Sequence, residues 1–351
     1  MNLSQRLHWL LAATCVLMLG MGNQSAHAQD SLPASILQAQ DELTNDAKAE
    51  VDAYVEAQVA RLQSSEPDQV ALGRSLLAEP FGLGKSPTFI KYYSQAIAQR
   101  VAPLLNPEGP LMTRLNIAIV SAKLSGQSLV TVLKPGADDP SPAVRYWICK
   151  AVGAAAKNKR INKQQQQEVL DVMAGRLKAE DSSLVLEQVM LAISEIELPE
   201  AIEKVLEGLD ARVKFHKENP GARFKPVHGG MQQLWSKLIA LRAGNQNVDK
   251  EQKELARIAF RYYALIAQQM EAGIENPDEQ EANAIKQDKV AMAGICGRVM
   301  DDIARNVARI SPPQLVDPNN TAELKVSVGR WRDVLKAPPF NFTDEQLAVD
   351  E

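Results

Sequence analysis

Aromatic residues make up only 5% of this 351-residue chain, and histidine and cysteine are scarcer still, with four of the first and three of the second. A β-sandwich would need more aromatic and β-branched positions in alternation, so the sheet-based classes recede. Three cysteines make no disulfide framework, and four histidines leave little for a metal centre. An excess of positive charge is missing too. The 39 Lys and Arg stand against 43 Asp and Glu, a formal charge of −4, which argues against nucleic-acid or anionic-membrane binding by the whole surface.

Long apolar runs are confined to the N-terminus. Met1 to Gln5 lead into one cation, Arg6, and Leu7 to Met21 are almost wholly apolar. Ala26-His27-Ala28 then gives the small-x-small pattern that places cleavage before Gln29. The run of 15 residues falls short of the roughly 18 to 20 needed to span a bilayer, which favours a cleaved export signal over an anchor. Ala12-Ala13-Thr14 before Cys15 does not make a lipobox, so Cys15 belongs to the signal's apolar core. Residues 1–28 therefore read as a signal peptide, and the mature protein as soluble and secreted or periplasmic. Removing 28 of the 351 residues leaves 323, and because Arg6 is the only charged residue removed, the formal charge moves from −4 to −5. His8, His27 and Cys15 leave as well. The remaining Cys149 and Cys296 read as buried, unpaired thiols, although an oxidising compartment permits a bridge.

Ala, Leu, Gln, Glu and Lys dominate the uninterrupted segments, and they lose little side-chain freedom in a helix. The composition predicts an all-α fold. Ser35 to Leu62 reads as one long helix, followed by helices over Gln69 to Ala78 and Thr88 to Ala102. Asp139-Pro140-Ser141-Pro142 opens a helix whose Val144, Trp147, Ile148, Ala151, Val152 and Ala155 make one apolar face. A shift of 41 residues gives Val185, Val189, Ala192, Ile193 and Ile196, and a shift back of 33 gives Leu111, Leu115, Ala118, Ile119 and Ala122. Further stripes run through Leu198 to Val213, Met231 to Ile239, Leu255 to Ile266 and Met292 to Val307. Ser311-Pro312-Pro313 ends this helical body. The tail holds one helix, Thr321 to Leu335, capped by Asn320, and then, after Pro338-Pro339, a mobile acidic end, Asp344 to Glu351, with at most a few turns packed by Phe340 and Phe342. The expected organisation is a signal peptide over 1–28, an all-α helical-repeat domain over 29–310 and a C-terminal tail over 311–351.

Asp139-Pro140-Ser141-Pro142-Ala143-Val144-Arg145, an Asp-x-x-Pro-x-Val-Arg run entering an apolar helix, resembles the second helix of a HEAT repeat. The copy at Val185 departs from the pattern, with Leu186 where the motif has Arg. The resemblance implies an irregular HEAT-like α-solenoid, in which stacked helix pairs form a surface that binds partners, usually without chemistry of its own.

Motifs for chemistry are weak. Gly82-Leu83-Gly84-Lys85-Ser86 has the ending of a phosphate-binding P-loop, but Glu79 stands where the first glycine belongs and Pro87 follows, so a helix-to-helix turn is the better reading. His216 and His228 are 12 residues apart and form no His-x-x-x-His pair. There is no Gly-x-Ser-x-Gly elbow, and neither cysteine has a histidine nearby in sequence. Asp301-Asp302 and Glu195 with Glu197 are acidic pairs of the kind used in acid–base work, but i and i+1 diverge on a helix, so Asp301-Asp302 reads as a solvated edge, and Gln164 to Gln167 as a wet helical face. Asn319-Asn320-Thr321 and Asn341-Phe342-Thr343 match the glycosylation acceptor.

One charge feature stands out. Ala211 to Gly230, broken by Pro and Gly, carries Arg212, Lys214, Lys217, Arg223 and Lys225 against Glu218, with His216 and His228 interleaved. It reads as a solvated inter-helix loop or, if Arg212, Lys214, His216, Arg223, Lys225 and His228 converge, as a binding site for an anionic small molecule or glycan. The principal expectation is an exported interaction or scaffolding module rather than an enzyme. It needs no cofactor or metal, binds no nucleic acid, and takes an exported or envelope protein as its partner.

Overall fold

The computed structural model describes residues 31–82, 84–272 and 278–349, so the export signal read in residues 1–28 lies outside the described residues. The described residues are all-α and contain no strand. No described helix is long and apolar enough to cross a membrane. The chain divides into two units, Met1–Arg100 and Val101–Glu351, where the sequence suggested one helical-repeat domain over 29–310.

In the first unit, α1 (Ala34–Leu37), α2 (Asn45–Leu62), α3 (Pro67–Ala78) and α4 (Pro87–Val101) surround an aromatic core. The single helix expected over 35–62 is broken because Thr44 restarts it: its hydroxyl accepts the Ala47 N–H at 3.2 Å. The Tyr54 hydroxyl donates to the Leu76 carbonyl at 2.8 Å, and Tyr93 donates to that of Leu77 at 3.0 Å. The Tyr93 ring also stacks on Phe89. Both buried phenols thus find a partner at the last turn of α3. Gly84, at φ +82, forms the turn that carries the P-loop-like residues, and Ser86 caps α4 by accepting the Phe89 N–H at 3.0 Å.

The second unit runs through α5 (Leu111–Ser121), α6 (Gly126–Ala137), α7 (Pro142–Lys157), α8 (Lys163–Ala179), α9 (Ser183–Ser194) and α10 (Pro199–Glu218). It continues with α11 (Lys225–Ala243), α12 (Asp249–Ala272), α13 (Glu279–Ile303), α14 (Thr321–Lys336) and the short α15 (Asp344–Leu347). Helices α5, α7, α9, α11 and α13 pack side by side in one layer, and α6, α8, α10, α12 and α14 in the other. Each helix as far as α13 also packs on its neighbour in sequence, giving a solenoid-like stack. The core lies between the layers. Val144, Ile148, Ala151, Val152 and Ala155 of α7 are fully buried, as are Val185, Val189, Ala192, Ile193 and Ile196 at the next turn of the stack.

Two expectations are corrected. Trp147 is half-buried at the edge of its stripe, with the Lys150 ammonium 4.4 Å from the ring centroid. The register of α5 also differs. α5 starts at Leu111 and α7 at Pro142, 31 residues apart rather than 33, so Leu111 faces outward and Ile117, Ala118 and Val120 fill the core. What fixes this rotation is polar: Arg114 is buried and paired with Asp139.

That pair is one rung of a buried ladder. Arg114 occupies the same place in α5 as Arg145 in α7, and Asp139 precedes α7 as Glu180 precedes α9. Asp139 accepts from Arg114 and from the Ser141 N–H at 2.8 Å. Glu180 accepts from Arg145 Nε at 2.9 Å and Nη2 at 2.6 Å, from Arg176 at 2.9 Å, and from the Ser182 N–H at 2.8 Å. Each carboxylate therefore fixes the turn that enters its own helix, through the N–H of Ser141 or Ser182, while tying it to the preceding helix of the layer. Leu186 ends the series, because it offers no guanidinium for a third rung.

The tail is docked, not free, as far as Val349. Lys253, Arg257 and Arg261 of α12 donate to the carbonyls of Pro339, Gln346 and Ala348 at 2.9 to 3.0 Å, and Phe340, Leu347 and Val349 are buried. Phe340 packs as the sequence suggests, while the acidic composition of this end conceals Leu347 and Val349.

Candidate functional site

Residues 211–230 are mostly helix rather than loop: they span the last turns of α10 and the first turns of α11. Helical geometry therefore sends their side chains in different directions. Arg212 and His216, four residues apart, point into the unit and are buried. Lys214 is exposed, 3.9 Å from Glu218. Arg223 is exposed and donates to the Ala284 carbonyl at 2.6 Å. Lys225 is exposed, and its backbone N–H donates to Asp288 at 3.2 Å. His228 is largely buried, with Nε2 3.6 Å from the Asp288 carboxylate. The six residues do not gather on one open surface: two point inward, three are exposed on different sides, and His228 faces Asp288.

The inward members belong to a polar cluster among α10, α11, α12 and α13. The His216 ring stacks on Phe224 with centroids 4.1 Å apart, and burial, with Arg212 nearby, pushes its imidazole down to about 3. Arg212 lies over the Phe215 ring at 3.8 Å and donates to the Glu180 carbonyl at 2.7 Å. Gln269 donates to the His216 carbonyl at 2.7 Å. Several buried atoms here make no hydrogen bond among the described residues: Arg212 Nε, both His216 ring nitrogens, His228 Nε2, Gln269 Oε1 and Lys289 Nζ. Asp288, the nearby carboxylate, is already engaged by His228 and by the backbone N–H groups of Phe224 and Lys225.

Among the concavities beside this region, two bear on function. A cleft of about 560 Å³ runs between α10 and α12 and is closed on one side by the tail. Six carboxylates line it, from Glu200, Glu203, Glu207, Asp210, Glu251 and Glu254, against two lysines, Lys250 and Lys253. Asp210 is neutralised by Arg257 and Arg261, Glu254 by Arg257, and Glu207 by Lys204 and Lys178. Glu200, Glu203 and Glu251 have no ionic partner among the described residues. Pro199, Leu206 and the stacked Phe340 and Phe342 supply its apolar surface. The second concavity, of about 250 Å³, is lined by Gln269, Met270, Ala282, Asn283, Lys286, Lys289 and Thr321.

The remaining candidates from the sequence stay structural. Cys149 and Cys296 are buried and unbridged, and burial pushes the Cys149 thiol up to about 12. Asp301 pairs with Arg305 at 2.9 Å, and Asp302 accepts from the Trp235 indole at 3.3 Å. Glu197 lies 3.5 Å from Lys159. Gln165 completes a capping box with Asn162, and Gln166 accepts the Glu197 N–H. Among the described residues no group of three or more potential metal ligands assembles.

Sequence reasoning passed over Lys289 and the cleft. Lys289 did leave a trace: Ile285, Lys289, Met292 and Cys296 share one helical face, so a lysine sits in an apolar stripe. The cleft left none, because its carboxylates are ordinary surface residues of two helices separated in sequence. No protein-family model matches the chain, and no curated protein matches it either.

Proposed function

We propose that this chain is an exported helical-repeat protein, HEAT-like in its repeat unit, and that it works by holding a partner protein. The α10–α12 cleft receives a cationic segment of that partner. The cleft carries this reading: Glu200, Glu203 and Glu251 offer uncompensated negative charge beside the apolar surface of Leu206 and Phe342. A lysine or arginine flanked by apolar residues meets both features at once, charge for steering and apolar area for hold. The Arg114–Asp139 and Arg145–Glu180 rungs support the repeat assignment, since both follow one rule of position along the stack. The export reading rests on residues 1–28 and makes the partner an exported or envelope protein.

The test is cross-linking in the exported fraction, comparing the native chain with a Glu200→Lys/Glu203→Lys/Glu251→Lys variant. The reading expects cross-links from residues of α10 and α12 to a basic segment of one protein, and their loss in the variant. Cross-links that persist in the variant, or that map away from both helices, overturn it.

A further inference from the structure

We propose that the concavity between α12, α13 and the start of α14 is an oxyanion-binding site, taking a phosphate or carboxylate group on Lys289 and Lys286. This does not rest on the cationic-segment reading, because the two sites share no residue. Lys289 carries the inference. It is 1% exposed, and its ammonium has neither a hydrogen bond nor an ion pair among the described residues. A buried lysine without a counter-charge is costly when ionised, and a satisfied one has a carboxylate, a carbonyl or a bound anion beside it. Among the described residues no carboxylate supports this one. Burial alone acts on it, lowering its pKa, and Asp288, its sequence neighbour, is turned to His228 and the start of α11.

The lining of the concavity has the composition an anion requires. Lys286 lies one turn before Lys289 on α13, with no partner of its own among the described residues. Two like charges at i and i+3 repel each other until an anion lies between them. Asn283 adds a side-chain amide, and Thr321 adds a hydroxyl from the first position of the 16-residue α14, whose dipole presents its positive end there; the Gln269 amide nitrogen is engaged by the His216 carbonyl. Among the described residues no acid lines the concavity, in contrast to the six that line the cleft. Its volume of about 250 Å³ is several times the roughly 30 Å³ share of a water molecule, so it accommodates a phosphate or carboxylate group together with part of a small molecule.

The experiment is thermal unfolding and calorimetric titration of the full mature chain at constant ionic strength. The probes are inorganic phosphate, glycerol phosphate and succinate, with chloride as the control. At least one probe should bind saturably and raise the melting temperature, and comparing the three separates free phosphate from a phosphorylated or carboxylated molecule. Lys289→Met keeps the side-chain length and removes the charge. It should unfold at a higher temperature than the native chain without anion, and should lose the anion-dependent rise. Lys286→Met should weaken binding by about tenfold to a hundredfold, the usual cost of losing a charged hydrogen-bond donor. The proposal fails if none of the three anions binds saturably, or if Lys289→Met responds to them as the native chain does.

Discussion

Glu180→Ala is the sharpest perturbation of the stack. The carboxylate is fully buried and accepts four hydrogen bonds, two from Arg145, one from Arg176 and one from the Ser182 N–H. Removing it leaves the Arg145 guanidinium, 6% exposed, with only Asp181 and two carbonyls as partners. It also leaves Arg176 with only Asp138, at 3.8 Å, and frees the Ser182 N–H in the turn before α9. Breaking a buried pair from one side typically costs about 3–5 kcal/mol, because the stranded charge has lost its compensation. Loss of the hydrogen bond from the Ser182 N–H adds about 1 kcal/mol. A change of this size is read from urea unfolding followed by helical circular dichroism, against the native chain at the same pH. A shape-conserving apolar replacement of all three partners, Arg145→Met/Arg176→Met/Glu180→Leu, should recover most of the loss, since a buried ion pair contributes little against well-packed apolar groups. A cost below about 1 kcal/mol for Glu180→Ala would place the pair with ordinary exposed ones and refute its role in joining the helices.

Three further outcomes follow from the packing. The folded state holds His216 neutral, with a pKa near 3 against 6.5, so the unfolded chain binds the proton first as pH falls. Its contribution to stability is complete above pH 6.5 and shrinks by about 1.4 kcal/mol per pH unit below that, reaching about 3 kcal/mol by pH 4. His216→Phe should flatten this limb in a pH series of unfolding curves, and an unchanged slope would contradict the burial. Gly208→Ala places a Cβ 2.0 Å from a Leu177 methyl, whereas nothing lies within 4 Å at Gly175. The first substitution should destabilise by about 1–3 kcal/mol less its helix-propensity gain of about 1, and Gly175→Ala should stabilise by up to about 1, both by urea unfolding. Cys149 and Cys296 should resist a thiol reagent in the native chain and react fully once it unfolds, and rapid labelling before unfolding would contradict their burial.

The helices were legible because each carries an apolar stripe long enough to show its period, as in Val185, Val189, Ala192, Ile193 and Ile196. Rotation about a helix axis was less so. Leu111 and Leu115 fit a stripe as well as Ile117 and Val120 do, and the choice is made by the pairing of Arg114 with Asp139, 25 residues away. The break before Asn45 needed no proline or glycine, only the Thr44 cap. Concavities were illegible for a similar reason. The α10–α12 cleft joins Glu203 to Glu251 through packing, with no trace in either segment. The basic stretch 211–230 was visible as composition, yet the helical turn that buries Arg212 and His216 while exposing Lys214 disperses it.

Partner binding through the α10–α12 cleft is tested most directly by fluorescence anisotropy with a labelled peptide of alternating Lys/Arg and Leu, beside its Glu/Asp counterpart. The cationic peptide should bind saturably, one to one, and its binding should weaken as salt rises. Its affinity should fall by about tenfold or more in Glu200→Lys/Glu203→Lys/Glu251→Lys. Equal binding of the two peptides, or an unchanged dissociation constant in the variant, would contradict partner binding through the cleft.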